Sequence, residues 1–444
     1  MWARQWTAAP ACGGPLRCLR RRAGALAARV LATKAAAAIS LAGLLLAFVS
    51  LSRGEAVDAA LVQRGRYLAI AGDCISCHTR ADGAPFAGGL AFHTPFGTVY
   101  SSNITPDPQT GIGRWSLAEF TRALRQGIGR SGEHLYPVFP YPYFTKISDA
   151  DVAALYAFLR AMPAANYIAP ANDMTFPFGQ RSLLGGWKFL YFQEGRFVAD
   201  TTKSAAWNRG AYLVEGLGHC SACHTPRNYL GGEKGDQFMT GGVYQESLDD
   251  RPIDWSAVNL TSGANGLQAW PLTDLTNYLK LGYSPHASVH GPMISVVMNS
   301  TRSLTREDDE AIATYLKAIA PNKQNDPALP SGRLMMAGET LYSIHCGTCH
   351  LPTGLGSAST GPPLAGSSVV LTPDPASMIN IVLRGPVLPD QPPSPEWQNR
   401  RWQSMPAFEE KLSDEEAAAL LSYVRGSWGN KEGAVTEEQV AKQR

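Results

Sequence analysis

The sequence predicts a mainly α-helical protein built as three tandem modules behind an N-terminal signal or anchor segment. Three observations predict it. The string Cys-x-x-Cys-His occurs at Cys74–His78, at Cys220–His224 and at Cys346–His350. Each string is led into by one stretch with helical spacing and followed by a second, capped one. Ahead of all three, residues 1 to 54 carry no acidic residue and contain an apolar run.

The leading stretches run from Val57 to Cys74, Ser204 to Cys220 and Arg333 to Cys346. They carry glycine at matching places, Gly65, Gly210 and Gly338, and a residue without a Cβ lets two helix backbones approach closely. The closing stretches run from Ser148 to Met162, Thr305 to Ile319 and Ser413 to Trp428. Each opens with a capping box, Ser148-x-x-Asp151, Thr305-x-x-Asp308 or Ser413-x-x-Glu416. Each continues with apolar residues at helical spacing and an aromatic near its end: Phe158, Tyr315 or Tyr423. The first two modules also share a Gly- and Pro-rich loop. Pro95 to Thr105, followed by Gly111 to Trp115, is echoed by Asp254 to Thr261, followed by Asn265 to Trp270, and extended backbone is expected there. The third module replaces it with Gly361-Pro362-Pro363-Leu364 and a Pro-rich insert from Pro386 to Pro395.

Cys-x-x-Cys-His is the attachment signature of c-type haem. Its thiols add to the two vinyl groups of one porphyrin, and its imidazole becomes the proximal iron ligand. Zinc sites and thioredoxin-like pairs also use Cys-x-x-Cys, but three copies each ending in His favour three covalently bound haems c. These are held by Cys74 and Cys77, Cys220 and Cys223, and Cys346 and Cys349, with His78, His224 and His350 as axial ligands. Of eight cysteines only Cys12 and Cys18 lie outside the signatures, so no structural disulfide is expected. The boundaries that follow are a leader at 1–54, cytochrome c domains at 57–165, 204–322 and 331–430, an aromatic-rich linker at 166–203 and a polar tail at 431–444. A net charge of +2 gives no basic excess and does not point to nucleic acid.

Distal ligands are read by position. Met405-Pro406 sits just before the last helix, where a distal methionine belongs. His290-Gly291-Pro292-Met293 fills the matching place in the second module, with Met298 as the competitor. In the first module that place is held by Phe139, which cannot bind iron. His134 is the expected substitute, Met162 and Met174 are alternatives, and an open position is the third. His93, His219, His286, His290 and His345 are expected to be structural.

In the leader, six basic residues from Arg17 to Lys34 precede the apolar run Ala35 to Leu51. This reads as an export signal, either cleaved or, at about 17 residues, retained as an anchor; a transit peptide is the remaining alternative. The expected location is the periplasmic face of the bacterial inner membrane.

Together these residues resemble the three-haem cytochrome c subunits of membrane-bound bacterial dehydrogenases, those of alcohol, gluconate or sorbitol dehydrogenases and of molybdenum-dependent aldehyde or N-heterocycle oxidoreductases. The resemblance rests on Gly72-Asp73 before the first signature, Thr94-Pro95-Phe96-Gly97, Asn103 to Asp107, Leu135-Tyr136-Pro137, Gly218-His219 before the second signature with Thr225-Pro226-Arg227-Asn228 after it, and Met405-Pro406-x-Phe408. It implies electrons passing from a catalytic dehydrogenase subunit, of molybdenum or quinoprotein type, through three haems to membrane ubiquinone. Phe139 departs from the alcohol-dehydrogenase pattern, in which Met follows Tyr-Pro-x, and tilts the expected partner toward the molybdenum type. The chain is thus expected to be a non-catalytic electron-transfer subunit of a respiratory oxidoreductase. The competing expectation is a multihaem enzyme with an open coordination site at the first haem. The aromatic stretch Phe176 to Phe192 is expected either to face a membrane or quinone, or to fill the junction between two modules.

Overall fold

Three helix pairs, each crossing at a glycine, carry the signatures. The structure is a computed structural model that describes residues 59–248, 251–322, 327–386 and 402–444. The leader, expected to be a signal or anchor, and most of the Pro-rich insert lie outside the described residues. Of residues 1–61 only 59–61, the first turn of a helix, are described; residues 62–444 form one unit.

The leading helices span 59–71, Ala205–Tyr212 and Gly332–His345; the closing helices span Asp149–Ala161, Arg306–Ala318 and Asp414–Gly426. A Cβ at Gly65 would lie 1.9 Å from the Ala154 carbonyl oxygen, one at Gly210 1.9 Å from that of Ala311, and one at Gly338 2.2 Å from that of Ala419. Each contacted alanine is six residues beyond its N-cap, Ser148, Thr305 or Ser413, so the three pairs cross in the same register. Nine positions separate Gly65 from Cys74 but ten separate Gly210 from Cys220. The second leading helix absorbs the extra residue in a π-helical turn, Leu213–Leu217, where the Gly218 N–H reaches back five residues to the Leu213 carbonyl at 2.7 Å.

Two expectations about the closing helices are corrected. Only Ser413 and Glu416 make a complete capping box. Ser148 and Thr305 cap as expected, but the side chains of Asp151 and Asp308 turn away to bind Arg64 and Arg209, each 2.7 Å from the arginine Nε. The last closing helix stops at Gly426. Trp428 has φ of 53° and its indole N–H donates to the Pro352 carbonyl at 3.0 Å, its ring resting on Tyr342.

Short antiparallel sheets complete the first two segments: Ala91–Thr94 with Gly97–Tyr100 and Asp173–Met174, and Gly242–Leu248 with Arg251–Ala257. The second hairpin docks on the third segment's helix Ala376–Arg384. Ser256 and Ser377 exchange hydrogen bonds at 2.8 and 2.9 Å, and the Asn380 amide donates to the Asp254 carbonyl at 2.8 Å. The linker helix Leu183–Tyr191 bridges the first two segments: Lys188 donates to the Gln126 and Gly127 carbonyls at 2.6 and 2.8 Å, and Trp187 to the Leu230 carbonyl at 2.9 Å. No helix among the described residues is long and apolar enough to cross a membrane.

Candidate haem-binding sites

Each signature closes a single helical turn, Cys74–His78, Ser221–His224 or Gly347–His350. Residues three and four apart share a face of a helix, so this turn gathers both thiols and the imidazole on one side. The Nδ1 atoms of His78, His224 and His350 lie 2.7, 2.7 and 2.9 Å from the carbonyl oxygens of Ser102, Val258 and Pro362. A carbonyl only accepts, so Nδ1 carries the proton and Nε2 presents a bare lone pair. That tautomer and that second hydrogen bond are what a metal-ligating histidine needs.

The accepting carbonyls are held by the loops that repeat in sequence. The Asn103 side-chain oxygen accepts from the Thr105 N–H and hydroxyl at 2.9 and 2.7 Å, and Asn259 repeats this with Thr261 at 2.8 and 2.7 Å. In each case the residue just before the asparagine supplies the carbonyl. Gly361-Pro362 does the same work in the third segment. The histidine carbonyls are tied in parallel, to the N–H groups of Gly88, Gly241 and Gly356 at 2.7, 2.9 and 3.0 Å.

All six signature cysteines are unpaired. Burial pushes the thiols of Cys74, Cys77 and Cys220 up to about 12, and those of Cys223 and Cys346 up to about 11. Thiolate metal sites and redox pairs depend on the opposite shift. No group of three or more His, Cys, Asp or Glu among the described residues is arranged to hold a metal ion. Two neutral thiols beside one preoriented imidazole fit haem c, which when bound supplies one-electron iron chemistry.

Of the candidate distal residues, Met293 heads the helix Met293–Asn299 and is partly buried. Met405 packs on the third segment's apolar core, and Gln403, two residues earlier, has its side-chain oxygen 3.9 Å from Cys349 Sγ. The hydrogen-bond register relates Phe139 to Met293. Gly127 and Gly282 are left-handed caps ending Leu117–Gln126 and Leu272–Leu281, and their carbonyls accept from the N–H groups of Leu135 and Val289 at 2.8 and 2.9 Å. Four residues further on stand Phe139 and Met293. His134 lies in the strand-like bridge before this point, its Nε2 3.5 Å from where Gly185 of the linker helix would carry a Cβ. Met298 accepts from Arg302 at 3.5 Å, Met162 caps the first closing helix, and Met174 sits in the three-stranded sheet.

The remaining histidines have structural partners. His93 meets Thr98 at 3.1 Å and His286 stacks on Trp270 at 4.8 Å. His219 packs on Phe144, His290 on Trp255 and His345 on Phe408. Sequence reasoning missed the contact of the first two segments, in which the Tyr67 hydroxyl donates to Asp308 and the Tyr212 hydroxyl to Asp151. No periodicity reports a meeting of residues this far apart in the chain.

The family profile described as cytochrome c matches residues 62–163, and that described as cytochrome c oxidase, cbb3-type, subunit III matches 333–424. The chain is 43% identical over 377 residues to one of the polypeptides of nicotinate dehydrogenase of Pseudomonas putida, covering 83% of this chain but only 30% of that protein's length. It is 39% identical to the cytochrome c subunit of alcohol dehydrogenase (quinone) of Gluconacetobacter polyoxogenes, covering 94% of this chain and 90% of that one. It is also 39% identical to the gluconate 2-dehydrogenase cytochrome c subunit of Pantoea cypripedii, covering 89% and 92%. With likeness of this extent, and with Cys-x-x-Cys-His turns whose histidines are oriented for iron, the chain belongs to the family of cytochrome c subunits of bacterial dehydrogenases.

Proposed function

We propose that the chain binds three haems c, one at each signature, and conducts electrons from a catalytic dehydrogenase subunit, of molybdenum or quinoprotein type, to membrane ubiquinone at the periplasmic face of the inner membrane. The observation that carries this reading is the threefold Nδ1 hydrogen bond to a backbone carbonyl at His78, His224 and His350. Three equally prepared imidazoles beside three thiol pairs suit a relay. The paired contacts of Tyr67 with Asp308 and Tyr212 with Asp151 hold the first two segments together, which supports exchange between the first two haems. Met293 and Met405 are the proposed distal ligands of the second and third. The first haem, with Phe139 in the place of Met293, lacks a thioether there and has the lower potential, since thioether ligation raises it.

The protein's part is to bind, space and tune the haems. Mass measurement of the exported protein should find three haems, and replacing both cysteines of any one signature by Ala should remove one. Reconstitution with the partner dehydrogenase should then reduce ubiquinone. Fewer than three haems, or electrons that never reach a quinone, would sink the proposal. Carbon monoxide bound at the first haem together with substrate turnover by the isolated chain would favour the enzyme reading instead.

A further inference from the structure

The linker helix has two faces with different surroundings. One holds the first two segments together through Lys188, Trp187 and Phe192, whose ring lies 5.2 Å from that of Tyr141. The other is bare: Phe189 is 89% exposed and Leu190 62%, and the neighbouring Leu230 is 51% exposed. Beside this helix lies a cavity of about 490 Å³, whose walls include Tyr143, Trp187, Leu190, Phe192, Arg227 and Glu233. That volume is within the range of pockets that take small organic ligands.

The cavity's polar side is tied to the second signature. The Glu233 carboxylate accepts from the Ser221 hydroxyl at 2.9 Å and from the Tyr143 hydroxyl. Arg227 donates to the Ala222 carbonyl at 3.0 Å and to the Tyr143 oxygen at 3.2 Å. Ser221 and Ala222 are the two residues between Cys220 and Cys223, so whatever occupies the cavity stands next to that haem attachment.

We propose that this cavity binds the ring of a lipid-soluble quinone; the proposal rests on the ubiquinone reading above and gives that acceptor a place. Aromatic walls suit a flat neutral ring, for which offset stacking is favourable. Arg227 is a donor for one ring carbonyl. Glu233 beside it, at 3.9 Å, opposes any anionic ligand such as a phosphate. Phe189 and Leu190, both lining the cavity and both exposed, offer an isoprenoid tail an apolar surface beside it. On reduction the ring takes two electrons and two protons, and its two carbonyls become hydroxyls. A haem held by Cys220, Cys223 and His224 would supply the electrons one at a time, becoming oxidised from ferrous to ferric with each, and the protons would come from solvent by way of Tyr143 and Glu233.

The test is photoaffinity labelling of the haem-loaded protein with an azido-ubiquinone, followed by peptide mapping and a parallel assay of ubiquinone reduction. Label is expected on peptides containing residues 187–193 or 227–233. Leu190→Arg and Trp187→Leu, both in the wall, are each expected to reduce labelling at least tenfold with haem content unchanged; Met336→Ser, on the third segment, serves as the control. Label confined to the third segment while ubiquinone is still reduced would overturn the cavity and leave the ubiquinone reading standing. Absence of both labelling and quinone reduction would overturn that reading and the cavity with it.

Discussion

The hydroxyl of Tyr67 donates to Asp308 at 2.5 Å, and that of Tyr212 donates to Asp151 at 2.5 Å. Tyr67 and Asp151 belong to the first segment, Tyr212 and Asp308 to the second, so the two contacts are one contact made twice in opposite directions. The symmetry extends to the backbone, where the N–H groups of Thr305 and Ser148 donate to the Tyr67 and Tyr212 oxygens at 3.1 Å each. Such a self-complementary patch is the signature of a two-fold interface, here joining two segments of a single chain.

Removing one hydroxyl leaves a buried carboxylate short of a donor. Tyr67→Phe and Tyr212→Phe are each expected to cost about 1–2 kcal/mol, and the pair more than either alone. Calorimetry of the double variant should show the first two segments unfolding in separate transitions, where the native protein shows one.

The three crossing glycines should tolerate no side chain. Gly65→Ala, Gly210→Ala and Gly338→Ala each place a methyl within 2.2 Å or less of a carbonyl oxygen. Each is expected to cost about 3 kcal/mol or more, by analogy with overpacked cores, and to lower the yield of haem-loaded protein. Gly186 in the linker helix meets nothing within 4 Å. Gly186→Ala should stabilise by up to about 1 kcal/mol through helix propensity, and thermal melts check both arms.

A buried acid predicts how stability depends on pH. Asp309 is fully buried on the second closing helix, where the first and third place Val152 and Ala417. Burial, with the neighbouring charge of Asp308, raises its carboxyl to about 7 against the pull of Lys280 at 3.7 Å. The folded chain therefore holds this proton more tightly than the unfolded chain. Stability from this group is present below about pH 4, declines as pH rises through the window from 4 to 7, and is fully lost above it. Asp309→Ala should flatten that decline and raise stability at pH 8 by about 2–4 kcal/mol, readable from urea unfolding at several pH values.

With one haem at each signature, as proposed, axial ligation should separate the three. Met293→Ala and Met405→Ala are each expected to make one haem high-spin and lower its potential. Phe139→Met should add a thioether to the first haem and raise its potential. His134→Ala is expected to leave the haem spectra unchanged, because the His134 ring lies against Gly185. Low-temperature magnetic spectra and a redox titration distinguish these outcomes.

The signature turns and the helix pairs were legible in the sequence because they are local. Five residues specify a turn that gathers two thiols and an imidazole, a capping residue and helical spacing specify the closing helix, and glycine at matching places marks each crossing. Even the loops that hold His78 and His224 were visible as repeats, although their task, presenting a carbonyl to Nδ1, was not. Tertiary structure alone decided what lies far apart in the chain: that Asp151 and Asp308 forgo their capping boxes for an arginine of their own segment and a tyrosine of the other, that one face of the linker helix bridges two segments while the other stays bare, and that His134 faces Gly185. The physical reason is that periodicity encodes which face of an element is apolar, whereas the partner of a charged or polar side chain is chosen by three-dimensional proximity and the cost of leaving it buried without one.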